Sequence, residues 1–345
     1  MSEQAGGPLV RPAARYHGDQ AVAPGMLDFA VNVRHAQPPR WLQQRLAARL
    51  ADLAAYPSAT DDNAAVSAVA ARHGVPENHV LLLNGGAEGF ALLPALSPRR
   101  AALIAPSFTE PEAVLAAAGV RFDHVVLDRP FTLAGAVVPD SADLVVIGNP
   151  TNPTGVLHPR EDILALRRPG RIVVVDEAFA DAVTDEAPAL AGTALPDVLV
   201  LRSLTKTWSL AGLRVGYAVG APDVLARLAL RRPHWPLGTL QLEAIAACCS
   251  PEALAEARAG ARMLAELRTG MVEALRGMGI DVVDGCAPFV LFAVPDAALM
   301  RKHLAANGIA VRRCDTFIGL GENYLRAAVR PEWPVLVAAI GEALR

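Results

Sequence analysis

Seven short runs rich in Val, Ile and Leu dominate the middle of the chain. They are VLLL (80–83), AALIA (101–105), HVVL (124–127), DLVVI (143–147), RIVVV (171–175), VLVL (198–201) and RVGYAV (214–219). Most are too short and too continuously apolar for an amphipathic helix. Such runs are expected of strands buried on both faces. Helical patterns fall between several of them, at 88–96, 110–118 and 160–167. Strand alternating with helix predicts an α/β fold around a mostly parallel, seven-stranded sheet.

The regions on either side read differently. Residues 1–40 are irregular and Pro-rich. A long Ala- and Leu-rich stretch, 240–278, predicts helix; candidate strands follow in IDVVDG, PFVLFAV, AVRRC and YLRAAV, then a helix over 335–345. RRPHWPLGT (231–239), with its prolines and glycine, reads as a hinge. The expected organisation is a large domain over 41–234 and a smaller α/β domain built from 1–40 and 235–345.

Composition narrows the function. A length of 345 residues with 52% hydrophobic residues gives a large core. A formal charge of −3 gives no global basic excess for nucleic acid or an anionic membrane. No stretch has the roughly 20 apolar residues of a membrane span, and MSEQAGGPLVRPAARY lacks an apolar run of signal-peptide length. A cytoplasmic location is expected. The four cysteines, Cys248, Cys249, Cys286 and Cys314, have no C-x-x-C spacing, so neither a metal site nor a disulfide framework is expected.

The chemically distinctive residues cluster after the strands. Asn84-Gly85-Gly86-Ala87 follows VLLL, and Pro106-Ser107-Phe108 follows AALIA. NPTNPTG (149–155), with Asn152, comes after DLVVI and its Gly148. Asp176-Glu177-Ala178-Phe179 follows RIVVV, and Arg202 to Lys206 follows VLVL. In open α/β sheets ligands bind at the carboxyl ends of the strands. Taken singly, each feature has a structural explanation as turn, cap, core or solvated side chain. Their collection at one edge favours a binding site.

The residue types match the needs of one cofactor. A phosphate needs approachable backbone N–H groups, a hydroxyl and a guanidinium, available at Gly85, Gly86 and Ala87, Ser203 and Arg214. An aromatic ring needs a stacking partner such as Phe108. A protonated pyridine nitrogen needs a carboxylate, which Asp176 offers. An aldehyde needs an amine, Lys206, and a phenolic oxygen needs a donor, Asn152. Together these describe pyridoxal 5′-phosphate (PLP).

SLTKTWSLAGLRVGY (203–217), with NPTNPTG and DEAF upstream, resembles the lysine motif of the class I/II PLP-dependent aminotransferases. The resemblance covers nearly the whole chain and implies the fold-type I architecture and a homodimer. It also implies that Lys206 carries the cofactor and moves the proton, and that Asp176, Asn152, Phe108, Gly85, Gly86, Ala87, Ser203 and Arg214 bind it. Arg326, in NYLRAAVR, matches the arginine that grips the substrate carboxylate. Tyr56, in AAYPS, matches a tyrosine that reaches the neighbouring subunit's cofactor phosphate.

Two related families compete. Histidinol-phosphate aminotransferases usually carry DEAY, whereas this chain has Phe179. The L-threonine O-3-phosphate decarboxylases of cobalamin biosynthesis commonly carry DEAF. Their N-terminal HGG-type element and DFSANINPLGPP-like segment resemble Tyr16-His17-Gly18-Asp19 and DFAVNVRHAQPP (28–39) here. The decarboxylase is therefore the expected activity, with an aminotransferase of histidinol-phosphate type or of unassigned specificity as the alternative. Both use a small phosphorylated amino compound. Asn32 is implied as a substrate contact. Arg34 stands in Arg34-His35 where the decarboxylases have Asn-Pro, and is expected to help bind the substrate phosphate. A ligand-sensing role in a transcription regulator is disfavoured, because the residues before the sheet do not read as helix-turn-helix.

Overall fold

The computed structural model describes residues 18–184 and 189–345. The expected match at Tyr16 and His17 lies outside the described residues. A two-residue strand, β1 (Leu27–Asp28), leads to helices α1 (Arg40–Ala48) and α2 (Ala59–His73). Local signals fix α2: Ser58 Oγ accepts the Asp61 N–H at 3.0 Å, Asp61 and Asp62 occupy the first turn, and Gly74 closes it at φ 65°.

The central sheet comprises β2 (Val80–Leu83), β3 (Arg100–Ala105), β4 (Arg121–Val126), β5 (Leu144–Gly148), β6 (Ile172–Asp176), β7 (Val198–Ser203) and β8 (Gly216–Val219). Their order is β2-β8-β7-β6-β5-β3-β4. Only β8 runs against the rest, pairing antiparallel with both β2 and β7. All seven apolar runs thus enter one mostly parallel sheet. Every residue of β5, β7 and β8 is buried, which explains their lack of alternation.

Helices cover both faces. Between the strands lie α3 (Gly86–Leu92), α4 (Glu110–Ala117), α5 (Arg160–Leu164) and, after the sheet, α6 (Pro222–Ala229). One core joins α3, α4 and α6 to one face through Phe90, Leu115 and Leu228. The opposite face packs on α1, α2 and α5 through Leu42, Val69 and Ile163. The predicted 240–278 helix is two helices, α7 (Thr239–Cys248) and α8 (Pro251–Gly277). The break follows from Pro251, which opens α8, and Ser250, whose Oγ accepts the Ala253 N–H at 3.2 Å. Helix α7 shares the core of α1, α2 and α5.

A second core gathers around a four-stranded sheet of order β12-β13-β10-β9: β9 (Asp281–Val282), β10 (Phe289–Ala293), β12 (Arg312–Arg313) and β13 (Tyr324–Ala328). Helices α8, α9 (Ala297–Ala306) and α10 (Trp333–Ala343) pack on it through Met271, Leu304 and Ile340. Phe29 from the other end of the chain is buried in the same core. Its approach is fixed by β1, which pairs parallel with β11 (Ile309–Ala310). No helix among the described residues is long and apolar enough to cross a membrane.

Candidate active site

The C-terminal ends of β3, β5, β6 and β7, with the turn after β2, open onto one cavity of about 500 Å³. Gly86, Ala87, Phe108, Asn152, Asp176, Ser203, Lys206 and Arg214 line it, as do Asn32 and Arg326 from the flanking segments. Gly85 lies immediately behind it. A Cβ there would stand 3.1 Å from Arg214 Nη2, and its φ of +77° also favours glycine. Ser203 Oγ shares a 2.7 Å hydrogen bond with Thr205 Oγ1. This corner offers backbone N–H groups, hydroxyls and a guanidinium to one anion.

Asp176 closes β6. Its Oδ1 accepts the Ala178 N–H at 3.0 Å. Burial raises its carboxyl to about 6, against a partial lowering by that hydrogen bond and by the Lys206 charge. A cation placed opposite would restore its ionisation. Phe108 contributes an aromatic face and packs against Phe90 at a centroid distance of 6.0 Å.

The far wall is cationic. Arg326 is buried, with Nη1 donating to Asn152 Oδ1 and Nη2 donating to the Ala30 carbonyl at 2.8 Å. With its amide oxygen turned to Arg326, Asn32 accepts from the same guanidinium at 3.1 and 3.3 Å. These acceptors are all neutral. Burial lowers the Arg326 pKa to about 10, so it remains charged at neutral pH. Its guanidinium faces the Phe289 ring.

Sequence reasoning missed Arg312. It lines the same cavity, is buried, and donates from Nη2 to Thr316 Oγ1 at 3.1 Å. Its backbone pairs directly with Arg326 across β12 and β13, so both side chains lie on one face. The register is the signal, and the Arg312-Arg313 dipeptide alone does not reveal it.

Two expected residues sit elsewhere. Tyr56 is 74% exposed and stacks on Trp235 at 4.1 Å between centroids, away from this chain's cavity. The Arg34 side chain lines a small adjoining cavity with Asn32 and Lys206.

The arrangement can hold a phosphorylated aromatic cofactor at the sheet edge and an anionic substrate on the arginine wall. The family model for aminotransferase class I and II matches residues 24–334. A histidinol-phosphate aminotransferase of Mycobacterium tuberculosis is 67% identical over 330 residues, covering 96% of this chain and 91% of that protein. A threonine-phosphate decarboxylase of Salmonella typhimurium is 30% identical over 321 residues, covering 88% and 87%. In fold, the chain is similar to histidinol-phosphate aminotransferase from Sinorhizobium meliloti, solved with pyridoxal-5′-phosphate. The TM-score is 0.77 at 19% identity, over 91% of this chain and 90% of that one. Coverage from residue 24 to 334 leaves little of the sequence outside the match, and the chain belongs to the class I and II aminotransferase family.

Proposed function

We propose that this PLP-dependent enzyme is an aminotransferase that moves the amino group of a small phosphorylated amine, of the histidinol-phosphate type, to a dicarboxylic keto acid. The observation that carries the reading is the 67% identity to a histidinol-phosphate aminotransferase across 96% of the chain. The 30% relative gives weaker support to decarboxylation, the activity expected from DEAF and the N-terminal segment.

The residues fit PLP. Gly85 leaves Arg214 room beside the backbone, and Ser203 and Thr205 add hydroxyls, as a phosphate requires. The raised carboxyl of Asp176 matches a pyridinium nitrogen. Asn152 serves the ring oxygen and Phe108 the ring face. When bound, PLP supplies an aldehyde for the substrate amine and a ring that accepts the electron pair from a broken bond at Cα.

The chain's own residues then choose the bond. Arg326 and Arg312 bind the anionic groups: the phosphate of the amine in one half-reaction, the carboxylates of the keto acid in the other. One wall thus serves two substrates. Gripping the substrate there orients its Cα–H towards Lys206, which would take that proton and deliver one to the carbon of the cofactor's aldehyde instead of back to Cα. Phe179 brings no hydroxyl to the cavity, so Asn152 carries the ring-oxygen contact from this wall. A homodimer, with Tyr56 contributing to the partner's phosphate corner, is part of the same proposal.

Two assays on PLP-loaded protein test it. L-Histidinol phosphate with 2-oxoglutarate is expected to yield glutamate. L-Threonine O-3-phosphate alone is expected to yield no sustained CO₂. CO₂ and aminopropanol phosphate without a keto acid would replace transamination with decarboxylation. The decarboxylase reading is kept as the second one because Asp28, Phe29 and Asn32 match that family's segment.

A further inference from the structure

Residues 29–35 carry Asn32 to the cavity and are bonded at both ends. The Phe29 N–H donates to the Ala310 carbonyl and the Phe29 carbonyl accepts from the Ala328 N–H, both at 2.8 Å. The Arg34 N–H donates to the Lys206 carbonyl at 3.1 Å, and the His35 N–H to Ser209 Oγ at 2.9 Å. Arg330 Nη2 donates to the carbonyls of Val31 at 3.1 Å and Val33 at 3.2 Å.

The Arg34 side chain takes a separate course. Its guanidinium lies against α8, where a Cβ on residue 260 would project, and any side chain there would overlap it. Gly260 lies within the 27-residue helix α8, where glycine is intrinsically poorer than alanine. A local need for the missing Cβ accounts for it. Burial disfavours the charge of the half-buried guanidinium, and Glu256, one turn earlier on α8, partly offsets that.

We propose that Gly260 is the seat of the Arg34 guanidinium, and that the seated side chain pins residues 29–35 so that Asn32 faces the cavity. Arg34 is then a positioning residue and does not touch substrate. This inference rests on the reading of the large cavity as the active site.

Hydrogen-exchange mass spectrometry of residues 29–36 in the holoenzyme tests the pin, alongside kcat and KM for L-histidinol phosphate and 2-oxoglutarate. The variants are Arg34→Ala, Gly260→Ala and the double variant. Gly260→Ala raises helix propensity, so loss of folding does not obscure its result. Each single variant is expected to speed exchange about tenfold and to raise both KM values about tenfold, with little change in kcat. The double variant is expected to be no worse than either single one, since both remove the same contact. Independent, additive losses would overturn the seat. Unchanged exchange in Arg34→Ala, with KM raised only for the phosphorylated substrate, would make Arg34 a substrate contact instead. If exchange responds as expected but the wild type turns over neither substrate pair, the seat stands and the active-site reading fails.

Discussion

The Arg326 guanidinium lies 5.0 Å from the centroid of the Phe289 ring, and Phe289 in turn meets Phe179 edge-on at 5.1 Å. A buried cation is thereby held over an aromatic face, with neutral oxygens on its hydrogen-bonding edge. Arg326→Lys keeps the charge and loses the planar fork. The expected cost is about 2–3 kcal/mol of substrate binding, a fall in kcat/KM of roughly 30- to 150-fold. Phe289→Leu is expected to cost about tenfold through the lost cation–π contact. Steady-state kinetics with 2-oxoglutarate check both. An unchanged KM in Arg326→Lys would remove Arg326 from the substrate site.

Lys206 borders both the large cavity and the small one beside Arg34. Its assigned work has a covalent part and a proton-moving part. Lys206→Ala is expected to lower turnover on the order of 10³-fold or more. Borohydride reduction of the wild-type holoenzyme, followed by peptide mass spectrometry, is expected to fix the cofactor to the peptide containing Lys206. A tag on any other lysine would move the assignment.

The sheet was legible because its central strands are buried on both faces, which leaves continuous apolar runs such as VVVD and VLVL with little ambiguity of period. The cavity-lining residues Gly86, Ala87, Phe108, Asn152, Asp176, Ser203 and Lys206 followed from where those runs end, whereas Asn32 and Arg326 followed from the resemblance. Arg312 was not legible. Its neighbour Arg313 is half-buried and pairs with Asp315, so the dipeptide reads as ordinary surface until the β12–β13 register places residue 312 opposite Arg326. Gly260 was equally silent, since what occupies its missing Cβ comes from the other end of the chain. The break at Ser250-Pro251 was written locally as cap and N1 proline, but the apolar composition on either side outweighed it.

Tyr56 combines 74% exposure with a ring stacked on Trp235 at an interplanar angle of 17°. An ordered, exposed aromatic pair suits a surface that a second copy covers. Sedimentation is expected to give about twice the 36.2 kDa chain mass. Tyr56→Phe is expected to keep the dimer and weaken PLP binding about tenfold, the loss of one hydrogen bond to a charged group. Unchanged PLP affinity in a dimeric Tyr56→Phe protein would rule out its contact with the phosphate.

Asp176 gives a pH signature without turnover. Burial lifts its carboxyl from 3.8 to about 6, so the folded cofactor-free protein binds this proton more tightly than the unfolded chain. Stability from this group is therefore greatest at low pH and is lost as pH rises through about 6. Asp176→Asn removes the penalty. The cofactor-free variant is expected to gain on the order of 2 kcal/mol over wild type at pH 8, the shift being discounted because the carboxyl opens partly to the cavity. The gain should vanish near pH 4. The variant's PLP affinity should fall. Equal melting temperatures at pH 8 would show that Asp176 is not strained in the empty site.

Behind Asp176 lies a buried ion network with the opposite sign. Arg202 donates to Glu177 Oε2 at 2.9 Å and to Asp181 Oδ1 at 2.6 Å, and Arg72 also binds Asp181. Glu177 follows Asp176 in sequence, and Arg202 precedes Ser203, so the network ties the ends of β6 and β7 that face the cavity. Burial alone would raise the Asp181 carboxyl, but Arg72 and Arg202 outweigh it and hold it down to about 2. Removing Arg202 leaves the buried Glu177 and Asp181 carboxylates with one guanidinium fewer, although Arg72 still binds Asp181 and the Leu190 N–H still donates to Glu177 Oε1. Arg202→Met is expected to cost about 3–5 kcal/mol and to lower Tm by roughly 4–7 °C at pH 7. Because the depressed carboxyl stabilises the fold above its unfolded pKa, this deficit should stay constant above about pH 4. It should narrow as pH falls towards 2, where Asp181 takes up a proton in both proteins. Scanning calorimetry of wild type and variant from pH 3 to 8 reads the difference directly. A deficit independent of pH through the acid range would mean that Arg202 stabilises the strands by packing rather than by charge.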